Sequence, residues 1–201
     1  MPVDCHTVTL VKVARARHIL PISTELTIIV RTRYSTCASS RRSVTGHGLP
    51  GTAAIPAVHA DRLRAGEATG AAAVGLVSNP VIPSQIVTRA SVENALRVLL
   101  ALGGSTNAII HLTAIAGRNG IDVKLDRLNE LSDTTPVLVD LKPVGQHYME
   151  DFFAAGGVGA VLRELKPLLD LDTLTVTGET LNERLAVDAV DVDRNVIAAL
   201  D

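Results

Sequence analysis

Three small polar side chains follow a glycine pair within residues 101–116, which read ALGGSTNAIIHLTAIA. Gly104 closes the pair, and Ser105, Thr106 and Asn107 come directly after it. Glycine at the end of a helix supplies the left-handed turn that other residues resist, and serine or threonine caps the free N–H groups of the next helix. This order predicts an exposed, glycine-flanked helix N-terminus, which is a site for a carboxylate or another anion. A plain corner between two helices is the alternative interpretation.

The elements around this corner follow from hydrophobic periodicity. Thr88 is a suitable N-cap for a helix that runs to about Leu102. Further helices are predicted over residues 57–67 (continued or followed by 71–77), 107–117, 125–131, 149–155 and 158–169. Short strands are predicted over Pro136–Leu141 and Thr173–Thr177, and Leu26–Arg31 also has the composition of a strand. Short strands between helices favour an α/β fold, with a layered α/β domain of short, mostly parallel strands and flanking helices.

Length and composition limit the class of protein. A chain of 201 residues with 47% apolar and 20% charged residues is typical of a folded globular domain. A net charge of −2 argues against nucleic acid as a partner, and no apolar stretch is long enough for a membrane span. The N-terminus lacks the pattern of a signal peptide, and two cysteines, Cys5 and Cys37, make no disulfide framework. A cytoplasmic location is therefore expected.

Four segments in order carry a resemblance to a known family. Besides residues 101–116, they are Leu49–Ala60 (LPGTAAIPAVHA), Pro143–Gly157 (PVGQHYMEDFFAAGG) and the pair Val176–Leu181 (VTGETL) and Val196–Asp201 (VIAALD). Together they resemble the dehydratase family that contains dihydroxy-acid dehydratase, phosphogluconate dehydratase and the sugar-acid (aldonate) dehydratases. The likeness covers about residues 48–201. It implies that this region corresponds to the latter part of the family's N-terminal domain.

The resemblance divides the chain into three parts. Residues 1–47 are atypical and poorly patterned, residues 48–190 form a partial dehydratase-like α/β domain, and residues 191–201 begin a link towards a second domain. Residues 1–48 carry seven basic and two acidic residues, a net charge of +5, so the rest carries −7. A basic nucleic-acid-binding arm is one interpretation of this asymmetry. A shifted reading frame is the favoured one, and it predicts a poorly ordered segment.

The resemblance implies a hydro-lyase. Family members remove water from a 2,3-dihydroxy acid to give a 2-keto acid: a base takes the proton from C2 and a Lewis acid draws off the C3 hydroxyl. They use an iron–sulfur cluster held by cysteine thiolates and a Mg²⁺ ion held by carboxylates and a modified lysine. The implied partner is a small dihydroxy or sugar acid, with neither nucleic acid nor membrane. The implied assembly is a homo-oligomer, a dimer or a tetramer.

Most of this chemistry has no counterpart in the sequence. The family's cluster cysteines and magnesium ligands precede the segment that resembles Leu49–Ala60, and the chain does not match there. Cys37 stands 12 residues before Leu49, closer than the family spacing, so an unpaired thiol is the favoured interpretation for it and for Cys5. The family's serine base lies in its second domain. No catalytic residue and no metal ligand is therefore identified, and the fragment alone is expected to be inactive and without a cluster.

The residues that do resemble the family would form one wall of its substrate pocket. Gly104, Ser105, Thr106 and Asn107 are predicted to face the substrate or the cluster, since small residues allow close approach and the helix dipole favours a carboxylate. Three further candidates are His111, Glu150 and Asp151, which would act behind the residues that touch substrate or metal. An ordinary satisfied helix histidine and a pair of helix-capping acids are the alternatives. His59 and His147 are assigned to surface or core, and Phe152 and Phe153 to the core.

The phrase MEDFFAAGG points to a substrate class. Aromatic residues after Met-Glu-Asp resemble the sugar-acid branch, which converts an aldonate to a 2-keto-3-deoxy acid, although Gly159 departs from that branch's usual proline. Two alternatives remain. One is dihydroxy-acid dehydratase of branched-chain amino-acid biosynthesis, and the other is a non-catalytic fragment or assembly module.

Overall fold

Helices form where apolar residues recur with helical spacing. A computed structural model describes Gly46 and residues 48–104, 106–186 and 191–200. Its helices are α1 (Asp61–Ser78), α2 (Pro83–Ile86), α3 (Arg89–Ala101), α4 (Thr106–Arg118), α5 (Leu125–Asp133), α6 (Met149–Ala154), α7 (Gly157–Glu164) and α8 (Leu181–Ala186), with a 3₁₀ turn at Lys166–Leu168. The two stretches predicted over residues 57–67 and 71–77 thus form one helix. No helix in these ranges is long and apolar enough to cross a membrane. The predicted cytoplasmic location stays a prediction.

The central helix α3 begins at the predicted cap. The Thr88 hydroxyl accepts a hydrogen bond from the Ser91 amide at 3.2 Å, and the Ser91 hydroxyl accepts one from the Thr88 amide at 3.0 Å. This reciprocal pair satisfies two N–H groups that a helix start leaves without partners. The apolar face that follows is buried and includes Val92, Leu96 and Leu99. Both the start of α3 and its apolar face are confirmed.

The hydrophobic core surrounds α3. Helices α4, α5 and α7 pack against it. Phe152, Leu112, Leu131 and Leu165 are among the large side chains that are fully buried there. The segment 191–200 closes the same core, because Ile197 is fully buried.

The predicted layered α/β fold with parallel strands is wrong for the residues that the structure describes. Over these residues there is no strand, only isolated bridges that join Val139 to Ile197, Leu141 to His147, and Leu174 to Thr180. The first and last of these are antiparallel. The expected strand Leu26–Arg31 lies outside the described residues.

Local hydrogen bonding explains why neither of the two strands predicted within the described residues forms. The amides of Leu138 and Val139 donate to the carbonyl of Ala101, at 2.9 and 3.3 Å, so this apolar run binds the end of α3 instead of a strand ladder. In Thr173–Thr177, the Thr175 amide donates to the carbonyl of Glu179 at 2.8 Å, which folds the chain back on itself within a few residues. A sheet needs successive bonds between neighbouring strands, and these amides are engaged elsewhere.

An ion pair on the surface of α3 depends on pH. The Glu93 carboxylate accepts hydrogen bonds from Arg127 Nε at 3.1 Å and Nη2 at 2.7 Å. The hydrogen bond from Arg127 is the largest cause that holds the pKa of Glu93 below its ordinary value, and it outweighs the desolvation that raises this pKa. The charges of Arg127, Arg89 and Arg97 lower the pKa further.

The ion pair between Glu93 and Arg127 should therefore lose its contribution to the free energy of unfolding in acid. A lowered pKa in the folded state means that the stabilisation is complete above the ordinary pKa of a glutamate and is lost as the pH falls through the folded-state pKa. We expect Glu93→Gln to lower the free energy of unfolding by about 1 kcal/mol at pH 7. In urea titrations, that difference should shrink towards zero as the pH is lowered from 7 to well below the ordinary pKa of a glutamate. Glu130→Gln, which removes a more exposed partner of Arg127, should have less than half the effect. A difference that stays constant over this pH range would contradict the assignment.

Candidate functional site

The glycine pair Gly103 and Gly104 ends α3 with two hydrogen bonds that restrict the backbone conformation of the turn. The Gly104 amide donates to the Leu99 carbonyl at 2.8 Å and the Gly103 amide to the Leu100 carbonyl at 3.0 Å. This pattern is a Schellman motif, and it requires the left-handed conformation that Gly103 adopts, with φ of 62°. A Cβ on Gly104 would lie 2.9 Å from both Cγ and the carbonyl oxygen of Leu99, so the turn has no room for a side chain. The predicted end of the helix at the glycine pair is confirmed.

The start of α4 is exposed. Thr106 and Asn107 are exposed at the first two positions of the helix, whereas Ala108 is buried. Ser105 lies outside the described residues. The start of α4 therefore places short polar side chains on the outside of the molecule, at a helix end whose dipole suits an anion. A role for these residues in substrate binding stays a prediction.

His111 lies one turn further along α4. It is four residues from Asn107, a spacing that places two residues on the same face of a helix, and it is exposed. An exposed imidazole on that face is available to a ligand at the helix start. That His111 acts behind the residues that touch the substrate or the metal stays a prediction.

The acids of MEDFFAAGG lie at the start of α6. Asp151 Oδ2 accepts a hydrogen bond from the Tyr148 amide at 2.7 Å, so this carboxylate caps the helix. Glu150 is exposed in the first turn. The structure therefore shows the capping arrangement for Asp151, while the proposed contacts of both acids with a pocket lysine or a metal's surroundings stay predictions.

His147 lies between two carboxylates, a grouping that the sequence analysis missed. Its Nε2 is 3.7 Å from Asp140 Oδ2 and its Nδ1 is 3.9 Å from Asp151 Oδ2. All three side chains are partly exposed. The sequence signal was weak, because His147 and Asp140 are seven residues apart across a turn. The cluster joins the start of α6 to the segment that follows the Val139–Ile197 bridge.

A tight loop over residues 140–148 holds this cluster. The His147 amide donates to the Asp140 carbonyl at 3.2 Å, and the Lys142 amide donates to the His147 carbonyl at 2.9 Å. The Lys142–Pro143 peptide bond is cis, and the Lys142 ammonium lies 3.7 Å from the centre of the Tyr148 ring. A Cβ on Gly145 would lie 2.5 Å from the carbonyl carbon of Asp140, so only glycine fits there. The segment PVGQHYMED therefore forms one ordered loop.

The segments that carried the resemblance contact one another or the same elements. A Cβ on Gly157 would lie 3.3 Å from the Ala54 Cβ, and the His59 ring meets the Phe153 ring edge to face at 5.2 Å. Leu49–Ala60 thus packs on the end of Pro143–Gly157. Phe152 is fully buried, which confirms its assignment to the core, and Phe153 is partly buried against it.

The described residues do not fit an iron–sulfur cluster or a magnesium ion. Cluster ligation needs thiolates, and the two cysteines of the chain, Cys5 and Cys37, lie outside the described ranges. Within those ranges no group of three or more His, Cys, Asp or Glu side chains is placed to hold a metal ion. No catalytic step can therefore be derived through either cofactor from these residues.

Comparison with known proteins identifies relatives of this chain. A family model described as Dihydroxy-acid/6-phosphogluconate dehydratase N-terminal matches residues 35–184, a range that begins before residue 48 and includes Cys37. The chain is similar to the dihydroxy-acid dehydratase of Caldanaerobacter subterraneus (46% identity over 158 residues, 78% of this chain and 28% of the relative). It is also similar to those of Caldicellulosiruptor saccharolyticus (49% over 160 residues, 79% and 29%) and Desulfosudis oleivorans (41% over 191 residues, 88% and 34%). The chain thus spans about a third or less of the length of these relatives.

Proposed function

We propose, from the premise that this chain belongs to the dihydroxy-acid/6-phosphogluconate dehydratase family, that it is the substrate-side scaffold of a hydro-lyase acting on a 2,3-dihydroxy acid. The observation that carries the proposal is identity of 41–49% to relatives named dihydroxy-acid dehydratase over more than three quarters of the chain. This supports the branched-chain dihydroxy acid as substrate better than the aldonate that the sequence analysis favoured.

The packing of the two phenylalanines removes the main argument for a sugar acid. Phe152 is fully buried, and the Phe153 ring packs edge to face against the His59 ring. Both side chains therefore serve packing within the N-terminal domain. A residue that lies in the core fits its neighbours and gives little information about which substrate binds elsewhere.

The chain's own contribution to the reaction is binding and orientation. In the proposed site, the substrate carboxylate lies at the start of α4 beside the side chains of Thr106 and Asn107, and the helix dipole favours its charge. Gly103 and Gly104 fix the direction of α4 relative to α3. Loss of water from a dihydroxy acid also needs a base and a Lewis acid, for which no described residue is assigned.

A chimeric enzyme tests this proposal. Residues 48–200 of this chain replace the matching part of the 46%-identical relative, which keeps the rest of its own polypeptide. We expect the chimera to convert the branched 2,3-dihydroxy acid to its 2-keto acid and to leave aldonates unchanged. Asn107→Ala in the chimera should lower kcat/KM by about tenfold or more, because a charge-assisted hydrogen bond contributes about 1.5–3 kcal/mol. Thr113→Val, an exposed change further along α4, is the matched control and should have little effect.

Three results would separate the remaining alternatives. Turnover of an aldonate alone would favour the sugar-acid interpretation. A folded chimera that holds its cluster but turns over neither acid would favour the non-catalytic module. The 201-residue chain alone, after anaerobic reconstitution, should show neither stoichiometric iron nor keto-acid formation, and finding both would overturn the view that it is a scaffold only.

A further inference from the structure

Residues 191–200 lie beyond the range that the family model matches, yet they belong to the folded domain. Val196 is buried and Ile197 fully buried in the core around α3. The amides of both residues donate to the Asp193 carbonyl, at 3.1 and 3.0 Å, and form a turn. The Asn195 amide donates to the Asp193 carboxylate at 2.9 Å. The turn is thus held by its own hydrogen bonds. We call residues 191–200 the exit segment.

The exit segment passes close to the end of α3. The Asp140 amide donates to the Val196 carbonyl at 3.0 Å, and the Ala198 amide donates to the Leu138 carbonyl at 2.8 Å. The Leu138 amide in turn donates to the carbonyl of Ala101, the last residue of α3. Two hydrogen bonds joined by the backbone of one residue span at most about 10 Å. Ala198 therefore lies near the glycine pair that turns the chain into α4.

One carboxylate holds two points of the exit segment. Glu164 is the last residue of α7, and its Oε1 lies 2.8 Å from Arg194 Nη1. Its Oε2 accepts a hydrogen bond from the Leu200 amide at 3.2 Å. The Glu164 side chain is only 16% exposed, whereas that of Arg194 is 54% exposed. Hydrogen bonds to an ionised acceptor are stronger than those between neutral groups. Glu164 thus clamps residues 198–200, which lie beyond the turn, to the end of α7.

The direction of the chain beyond this clamp matters for the proposed reaction. The matching family model is described as N-terminal, and the matched region is 28–34% of the length of the relatives. The base and the Lewis acid, for which no described residue is assigned, must therefore come from other polypeptide. Reacting groups have to be held within about 0.5 Å of the productive geometry. A chain that could turn freely at residues 198–200 would not hold them so.

We propose that Glu164 is a positioning residue for the dehydration, an inference that rests on the function proposed above. By holding Arg194 and the Leu200 amide, it fixes the direction in which the chain leaves the domain beside the start of α4. The polypeptide that follows in a longer family member is thereby oriented towards a substrate whose carboxylate lies at α4. Glu164 itself touches neither the substrate nor a reacting atom.

Amide exchange with water, measured residue by residue by NMR on the full chain, tests the clamp. We expect Glu164→Ala to speed exchange of the Leu200 amide by about tenfold or more, because a hydrogen bond to a charged acceptor is lost. The Ile197 amide should keep its exchange rate, since its acceptor is Asp193. Glu183→Ala is the matched control. It removes another carboxylate that accepts two hydrogen bonds, both from Thr180, and should leave the Leu200 rate unchanged.

A milder variant guards against a loss of folding. Arg194→Gln changes the more exposed partner and leaves the Glu164 carboxylate in place. It should speed exchange of the Leu200 amide by a smaller factor than Glu164→Ala does, because one of the two contacts of the clamp remains.

The chimera that contains residues 48–200 tests the role in catalysis. Glu164→Ala should lower kcat, expressed per folded enzyme, by about tenfold while KM changes less than twofold. The substrate site at α4 is left intact, whereas the reacting groups lose their orientation. Glu164→Gln keeps an acceptor oxygen and should recover at least about a third of kcat. Glu183→Ala should change neither constant.

The outcomes separate this inference from the proposed function. An unchanged Leu200 exchange rate in Glu164→Ala would overturn the clamp. An active chimera whose kcat is unaffected by Glu164→Ala, or whose KM alone rises, would overturn the positioning role and leave the proposed function intact. An unsubstituted chimera that converts neither acid would overturn the proposed function and the role of Glu164 with it, whatever the exchange rates are.

Discussion

Replacing Gly145 with alanine should lower the free energy of unfolding by about 3 kcal/mol, a large effect for the addition of one methyl group. The new Cβ would lie 2.5 Å from the carbonyl carbon of Asp140 and 2.6 Å from the amide nitrogen of Leu141. Both are backbone atoms in a loop whose ends are hydrogen-bonded, so the strain cannot be relieved by turning a side chain. Urea unfolding followed by circular dichroism measures the loss.

Gly117→Ala is the matched control. Gly117 is exposed inside α4, and a Cβ there would meet nothing within 4 Å. Alanine in an open helix position should raise the free energy of unfolding by up to about 1 kcal/mol. If the two substitutions changed stability by similar amounts, the close contact of Gly145 with Asp140 would not be the cause.

Both ends of α3 could be predicted because their signals are local, whereas α2 and α8 were not predicted. Thr88 and Ser91 are three residues apart, and the glycine pair at 103 and 104 contacts Leu99 and Leu100 in the preceding turn. Such interactions depend on a few consecutive residues, so the sequence pattern carries them directly. The start of α3 and the corner before α4 were predicted for this reason.

The predicted strands failed because strand pairing depends on residues far away in the chain. Leu138 and Val139 have the apolar character of a buried strand, and both are buried. Their amides nevertheless donate to Ala101, the last residue of α3, which is distant in sequence. Hydrophobic periodicity predicts that a residue is buried, but it does not predict which carbonyl accepts the hydrogen bond from its amide.

In the candidate site too, local features could be predicted from the sequence and contacts across a loop could not. The sequence predicted that Thr106 and Asn107 follow the glycine pair at a helix start, and they occupy the first two positions of α4; their role in binding stays a prediction. The Asp140–His147–Asp151 grouping was missed, since a tight loop produces it and no repeat marks it. The buried Asn94 was not predicted either, although asparagine inside a helix is unfavourable and is itself a signal.

Replacing Asn94 with alanine should also cost about 3 kcal/mol. The Asn94 side chain is almost fully buried in α3. Its Nδ2 donates to the Asp170 carbonyl at 2.8 Å, and its Oδ1 accepts from the Asp170 amide at 2.9 Å. One side chain thus holds both backbone groups of a residue 76 positions away. Its removal leaves the Asp170 amide without this partner, leaves the Asp170 carbonyl with the hydrogen bond from the Thr173 hydroxyl at 3.2 Å, and opens a cavity beside Thr173.

Two further variants separate these causes. Asn94→Leu refills the space without restoring a hydrogen bond, so it should remain destabilised by more than about 1 kcal/mol if the bonds to Asp170 matter most. Asn129→Ala changes an exposed asparagine on α5 and should alter stability by less than about 0.5 kcal/mol. Full recovery in Asn94→Leu would assign the loss to packing alone. The loop after the 3₁₀ turn would then be held by the core, and the turn at 173–177 would not depend on its polar anchor in α3.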